Sequence, residues 1–138
     1  MLPSLCCLFT QQVTAEFAKG ADISWQSEQE ANGVIFKNDS GNEQDLLAIL
    51  QDHEMDSVRL RVWVNPADGY YSSIADVIAK AQQAKAAGMR IMIDFHYSDS
   101  WADPGQQTQP SAWSSYDIDG LMSAVWWHTY DSLTALKD

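Results

Sequence analysis

The chain has 138 residues, 46% hydrophobic and 20% charged, which is enough for one globular core but not two. Its formal net charge of −11 opposes phosphate backbones and anionic membrane surfaces, so neither nucleic acid nor membrane is an expected partner. Six Trp, five Tyr and four Phe make a heavy aromatic load that suits sugar-stacking pockets, although a large buried core uses the same residues.

Residues 1–15 stand apart, with an apolar stretch over 2–9 and then Val13, Thr14 and Ala15. Small residues at the end of this segment fit a secretory cleavage site, but the apolar part is short and no Lys or Arg precedes it. It reads as a worn or truncated signal peptide, with a structured N-terminal strand as the alternative, so a secreted or periplasmic location is expected. Cys6 and Cys7 would leave with it, and the mature chain would hold no disulfide. No apolar run approaches the length that spans a bilayer.

Beyond the leader, strand and helix patterns alternate. Residues 20–24 read as a short strand. Ser40 with Glu43 three residues on reads as a capping box, opening a helix over 43–53 with Leu46, Leu47, Ile49 and Leu50 toward one side. Residues 57–64 are rich in β-branched side chains and form the second predicted strand, closed by Asn65-Pro66. Ser73 with Asp76 caps a second predicted helix bearing Ile74, Val77, Ile78 and Ala81, and Gly88 ends it in a left-handed turn. Residues 89–95 are the third strand, apolar on both faces, as in a parallel sheet covered on both sides. A long loop over 97–116 leads to a third helix starting near Asp117, with Leu121, Val125, Thr129 and Leu133 on one face and Trp126 and Trp127 packing against a neighbouring unit.

The third strand empties into Asp94-Phe95-His96-Tyr97-Ser98-Asp99-Ser100-Trp101-Ala102-Asp103-Pro104. Carboxylates, an imidazole and an indole thus gather at a strand's carboxyl end, where α/β folds carry their chemistry. Arg59 and Ile91 lie about one βα unit apart, roughly thirty residues. A closed eight-unit barrel needs ~250 residues, so three units are either a small open sheet or the first third of a barrel. Two bare edges weigh against the small sheet.

Three motifs in order carry a resemblance: Gly20-Ala21-Asp22-Ile23-Ser24, then Val58-Arg59-Leu60-Arg61-Val62-Trp63-Val64-Asn65-Pro66, then the segment from Asp94 to Asp99 with Trp101-Ala102-Asp103-Pro104, Gln107, Pro110 and Trp113. Together they resemble the opening of glycoside hydrolase family 53, the arabinogalactan endo-β-1,4-galactanases. The resemblance implies an α/β fold, the N-terminal fragment of a (β/α)8 TIM barrel with about three βα units, residues 16–138 being that part of the catalytic barrel. It implies retaining hydrolysis of β-1,4-galactosidic bonds by two carboxyls about 5–5.5 Å apart. In the family these are glutamates on the fourth and seventh strands, which places both beyond Asp138 and leaves the fragment inert alone. The expected partners are β-1,4-galactan and either the rest of the barrel or a second copy; no cofactor or metal is expected.

Gly41-Asn42-Glu43 spells the Asn-Glu pair of the acid/base in this clan, but it lies between first strand and first helix and is assigned to helix capping. Glu16, Glu28, Glu30 and Glu54 read as solvated charges in the leader junction, a loop and a helix end. The resemblance gives Arg61, or Arg59 on the same face, the part of the arginine that keeps the nucleophile ionised; an inner-barrel salt bridge is the plainer alternative. His96, sharing a face with Asp94, would orient a carboxylate or sugar hydroxyl. Trp63, Trp101 and Trp113, with Trp25 weaker, are stacking candidates, of which one or two are expected to touch sugar. Asp22, Asn65, Asp99 and Asp103 are either galactose ligands or caps of loops and helices.

Two further hypotheses remain: a carbohydrate-binding fragment without catalysis, and a metal-dependent hydrolase using Asp94, His96 and Asp99. The latter has too few ligands and no His-x-His or His-Glu-x-x-His arrangement.

Overall fold

The computed structural model describes residues 17–137. The leader read over residues 1–15, with Cys6 and Cys7, lies outside them, as does Glu16. Three strands, β1 (Gly20–Asp22), β2 (Ser57–Val62) and β3 (Arg90–Phe95), form a parallel sheet in the order β1-β2-β3. Four α-helices accompany them: α1 (Gln26–Ala31), α2 (Leu46–Asp52), α3 (Ile74–Ala86) and α4 (Ile118–Leu136).

The period-2 pattern of β2 divides the sheet into two faces. Val58, Leu60 and Val62 point to the helix side and are fully buried with Ile23, Leu47, Val77, Ala84 and Met89. Each of these Val, Leu, Ile and Met side chains contributes ~1.5–3 kcal/mol on burial. Ile93 and Phe95, in register with Leu60 and Val62, pack on the same core. The opposite face holds Arg59 and Arg61 beside Asp22 and Asp94, their register partners. Met92 shares that face and is 61% exposed. Gly20 lets β1 approach β2 closely, because a Cβ there would lie 2.6 Å from the Ser57 carbonyl oxygen.

The strands are shorter than the sequence pattern. β1 stops at Asp22 because its carboxylate turns back to accept from the Ser24 amide at 2.8 Å. β2 stops at Val62, since the Trp63 amide donates to the Ser72 carbonyl and the Val64 amide to the Ser98 carbonyl. β3 begins at Arg90, the Met89 amide being taken by Ala84 at the end of α3.

Two expectations fail at the start of the chain. Residues 26–31, read as loop, form α1; Glu28 and Glu30 are therefore helical. This helix has no apolar stripe and docks through polar groups, with the Ser27 hydroxyl donating to Asp76 at 2.6 Å. Ser40 is not the cap of the next helix. Residues 37–43 form a tight turn in which Asn38 accepts from the Ser40 and Asn42 amides and the Lys37 and Glu43 backbones pair antiparallel, and Asp45 caps α2 by accepting from Ala48. Gly41-Asn42-Glu43 thus belongs to that turn and not to a helix cap.

The later elements follow the sequence more closely. Ser73 caps α3, and Gly88 leaves it with φ +72°. Asp117 caps α4 by accepting from Gly120. The stripe of α4 is rotated from the expected one: His128, Ser132 and Leu136 turn inward, while Leu133 is half exposed and Thr129 meets the Tyr97 hydroxyl at 2.9 Å. Trp126 and Trp127 cluster with Tyr130 and remain about half exposed.

Candidate active site

The carboxyl ends of the three strands deliver polar side chains to one region. At its centre the Arg61 guanidinium is fully buried and enclosed by indole rings: Trp25 at 4.3 Å, Trp101 at 4.8 Å and Trp63 at 4.9 Å from ring centroid to guanidinium carbon. Nε, Nη1 and Nη2 have no hydrogen-bond partner among the described residues. Burial pushes this guanidinium below its ordinary value, with Arg59 acting in the same direction and Asp22 and Asp94 opposing. The group nevertheless stays charged at neutral pH, since arginine cannot be deprotonated in proteins. A buried cation without an acceptor is costly to fold.

Each wall of the box has a local origin. Trp25 follows the turn at the end of β1, where Ser24 fixes the chain by accepting from the Arg61 amide at 2.8 Å. Trp63 is the first residue beyond β2 and meets Trp25 edge to face at 5.9 Å. Trp101 comes from the β3–α4 loop, its indole N–H donating to Asp103 at 3.1 Å.

Beside the box runs an ionic network. Arg59 bridges Asp22 and Asp94 through its two terminal nitrogens, and His96 Nε2 lies 2.8 Å from the same Asp94 oxygen. Burial disfavours the ionised form of Asp22, but hydrogen bonds from Ser24 and the charges of Arg59 and Arg61 outweigh it and hold the carboxyl below its ordinary value. The salt-bridge alternative therefore describes Arg59, while Arg61 takes no part in it. A cleft of about 600 Å3 opens here, lined by Arg59, Asp94, His96, Tyr97, Asp103 and Gln107. The larger groove, about 710 Å3, runs along α4 and is lined by Ile118, Leu121, Met122, Trp126, Tyr130 and Leu133, none of which lines the cleft.

The remaining candidates are placed as follows. Asp99 accepts from the Asn65 amide at 3.0 Å and from the Ser111 amide and hydroxyl at 2.9 and 2.8 Å, tying the β2–α3 and β3–α4 loops together. Asp103 accepts from the Gly105 and Gln106 amides, closing a turn. Asn65 is exposed. Trp113 is buried against His128 of α4 at 6.2 Å. Asp94 and Asp99, grouped in the metal hypothesis, have separate engagements, and among the described residues no group of three His, Cys, Asp or Glu is placed to hold a metal ion.

Sequence reasoning underrated Trp25, whose position just past β1 was its only signal. It also read Asp76 only as part of a helix cap and passed over its partner Lys80, with which it forms a buried ion pair at 2.7 Å on the helix side of the sheet. Lys80 Nζ also donates to the Ser24 carbonyl at 2.7 Å, and Asp76 accepts from the Ser72 amide at 2.7 Å, so α3 braces the strand ends that carry the box. Burial lowers the Lys80 value, with Asp76 opposing.

Residues 18–138 match the family model described as glycosyl hydrolase family 53. Among known proteins, the chain is 48% identical over 120 residues to an arabinogalactan endo-β-1,4-galactanase of Thermothelomyces thermophilus, covering 87% of this chain and 36% of that one. It is 43% identical over 129 residues to a probable arabinogalactan endo-β-1,4-galactanase A of Aspergillus terreus, covering 94% and 37%. Among solved structures, it superposes on one described with two fungal β-1,4-galactanases at TM-score 0.82 and 46% identity, covering 89% of this chain and 36% of the other. The catalytic domain of an Ignisphaera aggregans protein of the same family gives TM-score 0.83 at 34% identity, covering 92% and 37%. The chain spans 36–37% of the length of these relatives. Its parallel sheet and helices are a portion of their (β/α)8 barrel.

Proposed function

Because the chain belongs to glycosyl hydrolase family 53, we propose that it supplies the β1–β3 wall of an endo-β-1,4-galactanase active centre acting on galactan or arabinogalactan. The observation that carries this reading is Arg61, a buried guanidinium boxed by three indoles at a strand's carboxyl end and lacking an acceptor among the described residues. A carboxylate reaching it from another strand would be held ionised, as a glycosidic nucleophile must be. Arg59 would support Asp94 and His96 on the flank, and the open face of Trp101 would stack on sugar.

Retaining hydrolysis requires two carboxyls about 5–5.5 Å apart. Glu28 and Glu30 sit on α1, Glu43 in the tight turn and Glu54 just after α2, so we assign both catalytic glutamates to strands outside residues 17–137. In this reading the three units bind and orient galactan without cutting it by themselves. A polymeric galactan lies outside the cell, which agrees with reading residues 1–15 as an export leader.

The test is a graft in which residues 18–137 replace the matching third of the Thermothelomyces thermophilus enzyme. The graft is expected to release reducing ends from β-1,4-galactan, and Arg61→Met within it to lower kcat about 100-fold or more. Equal turnover by graft and variant would remove Arg61 from the chemistry.

A further inference from the structure

His96 leaves β3 on the face of Asp94, and both of its ring nitrogens are engaged within the chain. Nε2 faces Asp94 Oδ2 at 2.8 Å, and Nδ1 accepts from the Ala102 amide at 3.2 Å. A backbone amide only donates, so Nδ1 carries no hydrogen; an ionised carboxylate only accepts, so Nε2 carries it. The tautomer is thereby fixed, and neither nitrogen is left for a sugar hydroxyl or a reacting atom.

The bond to Ala102 acts on the neighbouring residue. Trp101 meets the His96 ring edge to face at 5.4 Å and covers Arg61 at 4.8 Å, while remaining 41% exposed on its other side. Its other polar ties, from its indole N–H to Asp103 and from the Gln106 side chain to its carbonyl at 3.3 Å, stay inside the same loop. Among the described residues, Ala102 to His96 is therefore the hydrogen bond that fastens residues 101–106 of the loop to the end of the strand.

We propose that His96 is a positioning residue: it latches the β3–α4 loop so that Trp101 stays on Arg61, and it does not itself touch sugar. This rests on the galactanase reading, in which the open face of Trp101 meets galactose. Losing the latch would let Trp101 leave, opening Arg61 to water and removing the stacking surface together.

The test uses the full chain in the absence of galactan, so failure of the latch is distinguishable from failure of the galactanase reading. Ring-nitrogen NMR is expected to show His96 protonated on Nε2 and bare on Nδ1, with the Ala102 amide exchanging at least about tenfold more slowly than in an open chain. Two variants separate the two bonds. In His96→Asn the side-chain oxygen takes the place of Nδ1 and keeps the Ala102 acceptor; in His96→Gln the amide takes the place of Nε2 and keeps only the Asp94 bond. Ala102 protection and the Trp101 indole resonance are expected to survive in His96→Asn and to be lost in His96→Gln. A hydrogen on Nδ1, open-chain exchange at Ala102 in the unmutated protein, or equal protection in two variants that keep the Trp113 resonance overturns the proposal. Should either variant fail to fold, the ring spectrum of the unmutated chain decides alone.

Discussion

His128 projects from α4 into a ring of Phe95, Tyr97 and Trp113, with centroids 5.9, 6.2 and 6.2 Å away. Its Nε2 is buried without a partner among the described residues. Burial lowers the imidazole value below 6.5, and nearby Asp131 only partly opposes this. The unfolded chain therefore binds this proton first as pH falls. The stability that His128 contributes is complete above about 6.5 and is lost as pH drops from there through the lower folded value. Urea unfolding at pH 8 and pH 5 is expected to show a lower midpoint at pH 5, and His128→Phe, which keeps the aromatic shape, should narrow that gap. An unchanged gap would contradict the assignment. Asp22 acts in a separate window: its folded value lies below 3.8, so its contribution is present above that point and lost on further acidification.

Across elements, the Asp76–Lys80 pair joins α3 to the β1–α1 turn through Ser24 and Ser27. Asp76→Ala strands a buried ammonium and is expected to cost about 3–5 kcal/mol in chemical denaturation, whereas replacing both residues by apolar ones of similar size should recover most of that loss. Additive single-residue losses in the double variant would show that the pair is not coupled. This brace was invisible to an apolar count of α3, because Asp76 and Lys80 sit at i, i+4 on the buried side and Asp76 was read only as part of the helix cap. The same limit hid α1, which docks through Gln26 and Ser27 with no apolar stripe to reveal it. Ser40 and Glu43 had the spacing of a capping box, but Asn38 claims the local amides and moves the cap to Asp45. β2, α3 and β3 were legible because their apolar period and their terminators, Ser73 and Gly88, agree with the tertiary packing. At the site, sharing of a strand face put His96 with Asp94 and Arg59 with Arg61, but it did not foresee that Arg59 would bridge to Asp94. It could not predict that Arg61 would sit apart from them, because the indole box is assembled by three separate loops.

At the level of the whole molecule, apolar surface stays open along α4 and on the inner face of the sheet, with Ile118, Met122, Trp126 and Met92 all more than half exposed. Buried apolar area is worth ~25 cal/mol per Å2, so these faces favour association even against a net charge of −11. Sedimentation of the 138-residue chain is expected to show a mass that rises with protein concentration and rises further with salt as charge repulsion is screened. A monomer at every concentration would contradict this. The proposed division of labour within the barrel leads to one decisive assay: reducing-end release from β-1,4-galactan by the purified chain alone, run beside the grafted enzyme as positive control. No release by the chain above the blank, with clear release by the graft, is the outcome predicted by the proposal that these three strands hold the sugar and that the catalytic glutamates lie elsewhere. Release by the chain alone at the graft's rate would contradict the account.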